Sequence, residues 1–273
     1  MPRNRAVQAR RFDALGTTCA LFTVGRSSDT LMAGERWVRR LGARLTRFTS
    51  DSELSRLNSS AGCWADISAD LESVLRVSLR AFELSGGRVN AAVLPSMLAI
   101  GYTRPLAHGP AVALLDRAAP LPPLPEVLSL RPGAARLEVG TGLDLGGVAK
   151  GWMADLLIDR LGPNSVANLG GDLRAAGSGP QGDGWPIGVG GRILLLRDCG
   201  AATSSVRRRR WGVVHHLIDP RTGRPAQSGL EEVSVVAVDA FHAEVHAKTA
   251  LLLGPDLAPA YCAANASAWW LSR

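Results

Sequence analysis

Apolar and polar positions follow two periods along the chain, and these periods predict a fold that mixes strands and helices. Period-two alternation predicts strands over residues 11–24, 136–139, 165–173, 185–190, 192–196, 213–218 and 231–238. Apolar residues spaced three or four apart predict helices over residues 29–46, 68–85, 148–161 and 243–253. Because strands and helices do not alternate regularly, the pattern favours an α+β fold over a doubly wound parallel sheet.

Shorter segments complete the predicted organisation. Ser50 is followed three residues later by Glu53, which is a capping-box signature and predicts a short helix ending near Asn58. Residues 104–132 are rich in proline and alanine and predict an irregular excursion. Neither an internal repeat nor a linker interrupts the chain, so we expect one domain over residues 1–273, with residues 1–10 as a flexible extension.

The segment that organises the chain is GLDLGGVAKGWMADLLIDRL, residues 142–161. Residues 143–145 predict a short buried strand, Gly146 and Gly147 a tight turn, and the following apolar positions a helix that Gly162 ends. A helix N-terminus after a glycine turn favours anions, because its free N–H groups and positive dipole end point outward. Lys150 lies in the first helical turn, where a cation does not stabilise the helix. This position indicates a ligand-facing lysine; the alternative is an ordinary strand–helix unit that tolerates it.

Composition and charge narrow the classes of function. Of 273 residues, 46% are hydrophobic and 20% charged, and no run is apolar enough to span a bilayer. The basic N-terminus lacks the apolar core of a signal peptide, so we expect a cytoplasmic protein unless a targeting segment has been removed. The net charge of +7 favours phosphate-bearing ligands, but the basic run at residues 207–210 lacks interleaved aromatic residues apart from Trp211, which argues against nucleic-acid binding. Only two lysines occur, Lys150 and Lys248.

An ordered set of motifs covers nearly the whole chain and resembles the ApbE family. These motifs are ALGTT, SDSELSRLN, DLGGVAKG, NLGGDL, ATSS, HHLIDPRTG and AEVHAKTALLLG. Members of that family are flavin transferases that split FAD and attach FMN to a threonine or serine of an acceptor flavoprotein. The resemblance implies a single ApbE-like α+β domain of two lobes, with FAD in the cleft between them and Mg²⁺ at its pyrophosphate.

The resemblance also implies a role for individual residues. His216 matches the catalytic histidine, and the backbone oxygen of Gly147 matches a metal contact. The positions that match FAD contacts are Leu15, Phe48, Val89, Asn90, Asp144, Lys150 and Ile218. In the family's helical metal site an aspartate is followed four residues later by a threonine, and here these positions are Glu244 and Lys248.

The chain departs from the family pattern at these last positions and at Asn90. The usual FDPT is VNAA here, so Asn90 replaces an aspartate. Glu244 keeps a carboxylate, whereas a charged ammonium at Lys248 cannot ligate a metal. Lys248 either substitutes electrostatically for one metal or lowers metal affinity; without the resemblance, the pair is an ordinary i,i+4 salt bridge. Thr249 offers an oxygen, but it lies about 100° further around the helix.

The predicted activity is Mg²⁺-dependent transfer of FMN from FAD to a threonine or serine hydroxyl of an acceptor flavoprotein, with release of AMP. His216 is predicted to accept the hydroxyl proton, because its pKa lies near operating pH; the alternative is a structural histidine beside a turn. Two other functions remain open. Water in place of the hydroxyl would make the protein an FAD pyrophosphatase, and loss of catalysis would leave a flavin-binding protein.

Overall fold

The computed structural model describes residues 6–60, 62–115 and 118–273. Within them the chain forms two compact units. The first unit contains the chain up to Arg40 together with Ala149–Ser204 and Gly229–Arg273, and the second contains Leu41–Val148 and Ser205–Ser228. No helix in these ranges combines the length and the apolar character that a membrane crossing requires.

A seven-stranded sheet forms the first unit. Its strands, in spatial order, are β1 (Val7–Ala14), β2 (Thr17–Val24), β6 (Ser165–Leu169), β7 (Asp172–Ala176), β10 (Cys199–Ser205), β15 (Glu232–Ala237) and β16 (Ala268–Ser272). The register is antiparallel from β1 through β10 and between β15 and β16. A separate hairpin, β8 (Trp185–Val189) and β9 (Arg192–Leu196), adds its apolar side chains to a buried cluster with Val166, Leu173 and Val236.

Helices pack on the sheet of the first unit. They are α1 (Ser28–Leu45, which continues into the second unit), α6 (Ala149–Leu161), α7 (Ala240–Leu253) and α8 (Ala258–Asn265). Helix α6 lies on β6 and β7, and α7 lies on β15 and against α6. Because α7 is buried on nearly all sides, its sequence is apolar around most of its circumference.

The second unit is built from shorter elements. Its helices are α2 (Glu53–Asn58), α3 (Ala69–Leu84), α4 (Leu94–Ala99) and α5 (Leu124–Val127), with a 3₁₀ turn at Leu106–His108. Its strands are β3 (Ala65–Asp66), β4 (Leu128–Arg131), β5 (Ala134–Leu137), β11 (Arg210–Trp211), β12 (Val214–His215), β13 (Ile218–Asp219) and β14 (Arg224–Pro225). Strands β3, β5 and β4 form one small sheet, and β11–β12 and β13–β14 are two-stranded.

The α+β class is confirmed, as are the helices predicted from long apolar periods. Helices α1, α3 and α6 begin and end within about two residues of the predicted bounds, and α7 begins three residues early, where Asp239 caps it. The predicted first strand is a hairpin that turns at Gly16 and begins at Val7. The prediction of a flexible extension was therefore wrong for residues 7–10, and residues 1–5 lie outside the described chain.

The predicted capping box was wrong, although the helix that it predicted exists. Ser52 caps α2 instead, since its hydroxyl accepts a hydrogen bond from the Ser55 N–H at 3.0 Å. Glu53 points elsewhere: its carboxylate accepts from the backbone and hydroxyl of Ser68, the N-cap of α3, and pairs with Arg44. Glu53 therefore links the N-termini of α2 and α3 and does not complete a capping box on α2.

Further strand predictions need correction, and one strand was not predicted. Leu143 and Leu145 are buried, but residues 143–145 form no strand, because the Asn58 amide occupies both the N–H and the carbonyl of Leu143, at 2.7 and 3.0 Å. The predicted strand at residues 213–218 is broken into β12 and β13. Residues 199–205, which carried no prediction because they are small and polar, form β10 in the interior of the sheet.

A histidine on α7 makes the stability of the first unit sensitive to pH. His246 is buried, and its Nδ1 lies 2.8 Å from the hydroxyl of Tyr261 on α8. Burial, together with the charge of nearby His242, lowers the pKa of His246 to about 4. Between pH 6.5 and 4 the unfolded chain therefore binds a proton that the folded chain does not.

We expect His246→Gln to flatten the pH dependence of stability in this window. In the parent protein this histidine contributes a free energy of unfolding that decreases as pH falls from about 6.5 towards 4, and glutamine does not titrate. Urea denaturation at several pH values measures the slope. His108→Gln, at an exposed position of the second unit, is the matched control. Equal slopes in the parent protein and His246→Gln would contradict the prediction.

Candidate active site

The residues predicted to act on FAD fall into two sets, one in each unit. The first unit contains Leu15, Lys150, Glu244 and Lys248. The second unit contains Phe48, Val89, Asn90, Asp144, Gly147, His216 and Ile218.

Lys150, Glu244 and Lys248 come together with Asp172, and we call these four residues the charged cluster. The Lys150 Nζ lies 3.2 Å from Glu244 Oε1 and also pairs with the Asp172 carboxylate. The Lys248 Nζ lies 3.7 Å from the same Glu244 oxygen. Sequence reasoning missed Asp172, which follows the Gly170–Gly171 turn in the NLGGDL motif. The motif indicated the turn but could not show which distant side chain its carboxylate meets.

Glu244 is held at the centre of the charged cluster by the close approach of α6 and α7. The Gly151 N–H donates to Glu244 Oε2 at 2.9 Å. A Cβ on Gly151 would lie 2.6 Å from the Ala240 carbonyl oxygen, so only glycine permits this approach. Burial raises the pKa of Glu244, but the charges of Lys150 and Lys248 and the Gly151 hydrogen bond outweigh it, and the net shift is downward. Glu244 is therefore a buried, ionised carboxylate.

The i,i+4 salt bridge that Glu244 and Lys248 offered as the alternative is present, but it is buried rather than on the surface. Only 3% of the Glu244 side chain and 15% of the Lys248 side chain are exposed. The Thr249 hydroxyl is buried and donates to the Val245 carbonyl at 2.8 Å. Leu15 lies in the β1–β2 turn, half-buried and in the left-handed region with φ of 56°.

In the second unit, Asp144 is paired with a buried arginine that sequence reasoning missed. Asp144 Oδ2 accepts from Arg47 Nε at 2.5 Å, and Oδ1 accepts from the Gly146 N–H at 2.8 Å. The Arg47 guanidinium lies 4.3 Å from the Phe48 ring centroid and 4.8 Å from that of Tyr102. Asp144 thus fixes a guanidinium between two aromatic rings.

Aromatic side chains extend this arrangement. The Tyr102 ring lies 5.4 Å from Phe48 and 5.5 Å from Trp211, whose indole N–H donates to the Ile100 carbonyl at 3.0 Å. Ile218 is buried in the same apolar group. We call Phe48, Tyr102 and Trp211 the aromatic group. The sequence showed these aromatic residues far apart, and only Phe48 was indicated, by its family match.

Val89 and Asn90 lie on a loop beside Asp144, because the Asp144 N–H donates to the Ala91 carbonyl at 2.9 Å. The Asn90 side chain makes two hydrogen bonds: Nδ2 donates to the Pro122 carbonyl and Oδ1 accepts from the Ala92 N–H, each at 2.9 Å. An aspartate could not make the first bond, which accounts for asparagine at this position. Val89 is buried, and its N–H donates to the Ser85 hydroxyl at 2.8 Å.

The two adjacent histidines have different environments. His215 is buried, its Nε2 lies 3.0 Å from the Ala226 carbonyl oxygen, and burial lowers its pKa. His216 is half-buried, and its backbone N–H donates to the Arg209 carbonyl at 3.3 Å. Asp219 shapes the following turn and pairs with Arg221 at 2.7 Å. Of the two imidazoles, that of His216 is the more accessible to a reactant.

The metal contacts that the resemblance implies are only partly supplied. Gly147 lies half-buried in the turn before α6 and remains a predicted contact. Across residues 6–60, 62–115 and 118–273, no three His, Cys, Asp or Glu side chains form a group that could hold a metal ion. Glu244 already has two lysines as partners.

Comparison with known proteins identifies the family of the chain. A sequence profile described as the ApbE family matches residues 15–270. The chain belongs to the ApbE family. It is 26% identical to the FAD:protein FMN transferase of Haemophilus influenzae, over 82% of this chain and 72% of that protein. It is 30% identical to the enzyme of the same name from Treponema pallidum, over 75% of this chain and 66% of that protein.

Solved ApbE structures share the fold over nearly the whole chain. The flavin transferase ApbE of Vibrio cholerae superposes with a TM-score of 0.80 at 20% identity, covering 98% of this chain and 97% of that one. The ApbE protein of Thermotoga maritima superposes with a TM-score of 0.84 at 22% identity and the same coverage. The ApbE fold is therefore established independently of the individual site residues.

We expect Asp144→Ala to destabilise the protein by about 3 kcal/mol, because it leaves the Arg47 guanidinium buried without its carboxylate. Only 4% of the Arg47 side chain is exposed, so water cannot replace the lost partner. Urea denaturation at neutral pH measures the change. Asp66→Ala, at an exposed position of the same unit, is the control and should change stability by no more than about 0.5 kcal/mol. An equally small change for Asp144→Ala would contradict the prediction.

Proposed function

We propose that this ApbE-family protein transfers FMN from FAD to a threonine or serine hydroxyl of an acceptor flavoprotein and releases AMP. Family membership over residues 15–270 and the activity named for its relatives support the reaction class. The observation that carries the proposal is the position of Lys150 in the first turn of α6, where a cation joins a helix N-terminus. Both features favour phosphate oxygens.

The proposed step exchanges the phosphoanhydride bond of FAD for a phosphoester bond to the acceptor. The acceptor hydroxyl oxygen forms a bond to the phosphorus on the FMN side of the pyrophosphate, and the bond from that phosphorus to the bridging oxygen breaks. The bridging oxygen leaves with AMP, and the hydroxyl proton passes to a base. FAD and the hydroxyl thus become a phosphodiester-linked FMN and AMP, with no oxidation or reduction.

Residues of this chain are assigned to parts of that step by their chemistry. Lys150 and Lys248 are assigned to the phosphates, because developing charge on phosphate oxygens is stabilised by fixed cations. The aromatic group offers planar surfaces suited to the flavin ring, since aromatic rings stack on one another. His216 is assigned as the proton acceptor, because its side chain is half-buried rather than fully buried and imidazole is the side chain that most often serves as a general base.

Magnesium does not fit the residues at the helical position that the family resemblance implies. An octahedral Mg²⁺ requires oxygen ligands, and one of the two matching side chains is an ammonium. The other, Glu244, is already paired with lysines through one oxygen and bonded to the Gly151 N–H through the other. No step of the proposed reaction is therefore assigned to a metal at Glu244 and Lys248.

Incubation with FAD and a candidate acceptor flavoprotein tests the proposal. We expect the acceptor band on a denaturing gel to carry flavin fluorescence. Chromatography should detect AMP in an amount equal to the labelled acceptor. AMP and free FMN without labelled acceptor would indicate hydrolysis of FAD instead. FAD that binds but stays intact would indicate a binding protein and overturn the catalytic proposal.

We expect His216→Ala to lower the rate of transfer by about a hundred- to ten-thousand-fold while FAD binding persists, because a proton acceptor acts in the chemical step. Single-turnover gel fluorescence gives the rate, and flavin fluorescence quenching gives the affinity. His108→Ala, at an exposed histidine, is the matched control. Near-parental turnover by His216→Ala would return His216 to a structural role beside the DPRTG turn.

A further inference from the structure

The charged cluster balances two carboxylates with two ammonium groups in a buried part of the first unit. Lys150 contacts both Asp172 and Glu244, and Lys248 contacts Glu244 from one helical turn further along α7. The carboxylates contribute two negative charges and the lysines two positive ones. The charge that a divalent cation would contribute is therefore already present in the protein.

Neither carboxylate is available as a metal ligand without displacing a lysine. Glu244 Oε1 has ammonium nitrogens at 3.2 and 3.7 Å, and Oε2 accepts the Gly151 N–H at 2.9 Å. Asp172 is paired with Lys150. A dication placed at Glu244 would adjoin two ammonium groups, and Coulomb repulsion at such distances opposes binding.

Exposure separates the two lysines from the two acids. The Glu244 and Asp172 side chains are 3% and 6% exposed, whereas those of Lys150 and Lys248 are 14% and 15% exposed. The lysine side chains are therefore the more exposed part of the charged cluster, and their ammonium groups favour an anion over a cation.

The nearly exclusive use of arginine elsewhere strengthens this assignment. The chain has 31 lysines and arginines together, and only Lys150 and Lys248 are lysine. An ammonium is a compact point charge with three donors, whereas a guanidinium is a broad planar fork. Both lysines of the chain thus lie in the charged cluster. A lysine ammonium is closer in size to a metal ion than a guanidinium is, and this compact charge is suited to binding phosphate.

We infer that Lys150 and Lys248 replace a divalent cation in this chain, so that ammonium groups bind the pyrophosphate of FAD and no metal ion is required at α7. The inference rests on the proposed function and specifies how the same site holds its substrate. It separates this chain from ApbE proteins whose helix carries an aspartate and a threonine at these positions.

Metal binding and FAD binding are measured on the full chain, apart from transfer activity. The first measurement is a titration with Mn²⁺ followed by electron paramagnetic resonance, in the absence of FAD. We expect no stoichiometric Mn²⁺ binding. The second is FAD affinity by flavin fluorescence quenching, with Mg²⁺ or with EDTA. We expect the two dissociation constants to agree within about twofold.

Two variants at position 248 test the contribution of the Lys248 ammonium to FAD binding. Lys248→Thr removes the ammonium and supplies an oxygen, so we expect FAD affinity in EDTA to fall about tenfold or more and to be restored by Mg²⁺. Lys248→Met supplies neither, so affinity should fall with and without Mg²⁺. Arg197→Met removes one exposed cation of the same unit and is the charge-matched control, which should bind FAD like the parent protein.

The outcomes distinguish this inference from the proposed function. Stoichiometric Mn²⁺ binding by the parent protein, or FAD binding that EDTA abolishes and Mg²⁺ restores, would overturn the inference and leave the proposed function standing. Parental FAD affinity in Lys248→Met would also overturn it, since the ammonium would then not reach the pyrophosphate. If the parent protein fails to bind FAD under both conditions, the proposed function is wrong and the inference falls with it.

Discussion

The ionised carboxylate of Glu244, buried between α6 and α7, constrains the packing of these two helices in the first unit. A buried charge that loses its partners costs about 3–5 kcal/mol, so its surroundings must supply both hydrogen bonds and opposite charge. Gly151 supplies the hydrogen bond and permits the close approach, and Lys150 and Lys248 supply the charge. The register of the two helices and the position of both lysines therefore depend on one another.

The second unit also buries a charged side chain, but with a different pair of residues. Arg47 is buried there, and its charge is balanced by Asp144 on a loop that Asn58 and Ala91 hold by hydrogen bonds. Aromatic rings cover the guanidinium faces, which a planar cation tolerates better than an ammonium would. Each unit thus buries an acid–base pair at the segment that matches the family motifs, and in each the choice of lysine or arginine follows the shape of the surroundings.

The bounds of helices could be predicted from the sequence, because local periodicity determines them. Side-chain partners that are distant in the chain could mostly not be predicted. Helices α1, α3 and α6 each present a sustained apolar stripe, so their bounds followed from the sequence. The capping box failed because Ser50 and Ser52 both offer a hydroxyl, and the contact of Glu53 with Ser68, fifteen residues away, decides between them. Asp172 and Arg47 were missed for the same reason, since their partners are respectively 22 and 97 residues away.

The exchange of a metal ion for a lysine has a consequence that depends on how each cation is supplied. A metal site loads according to the free ion concentration, whereas an ammonium is covalently attached and is present in every folded molecule. The attached cation is also already paired with Glu244, so binding a phosphate requires only that this pairing be shared. What the exchange gives up is Lewis acidity, because an ammonium donates hydrogen bonds but cannot accept an oxygen lone pair into its coordination sphere. A transferase of this kind would rely on electrostatic positioning of the pyrophosphate and on the proton acceptor, the role that we propose for His216.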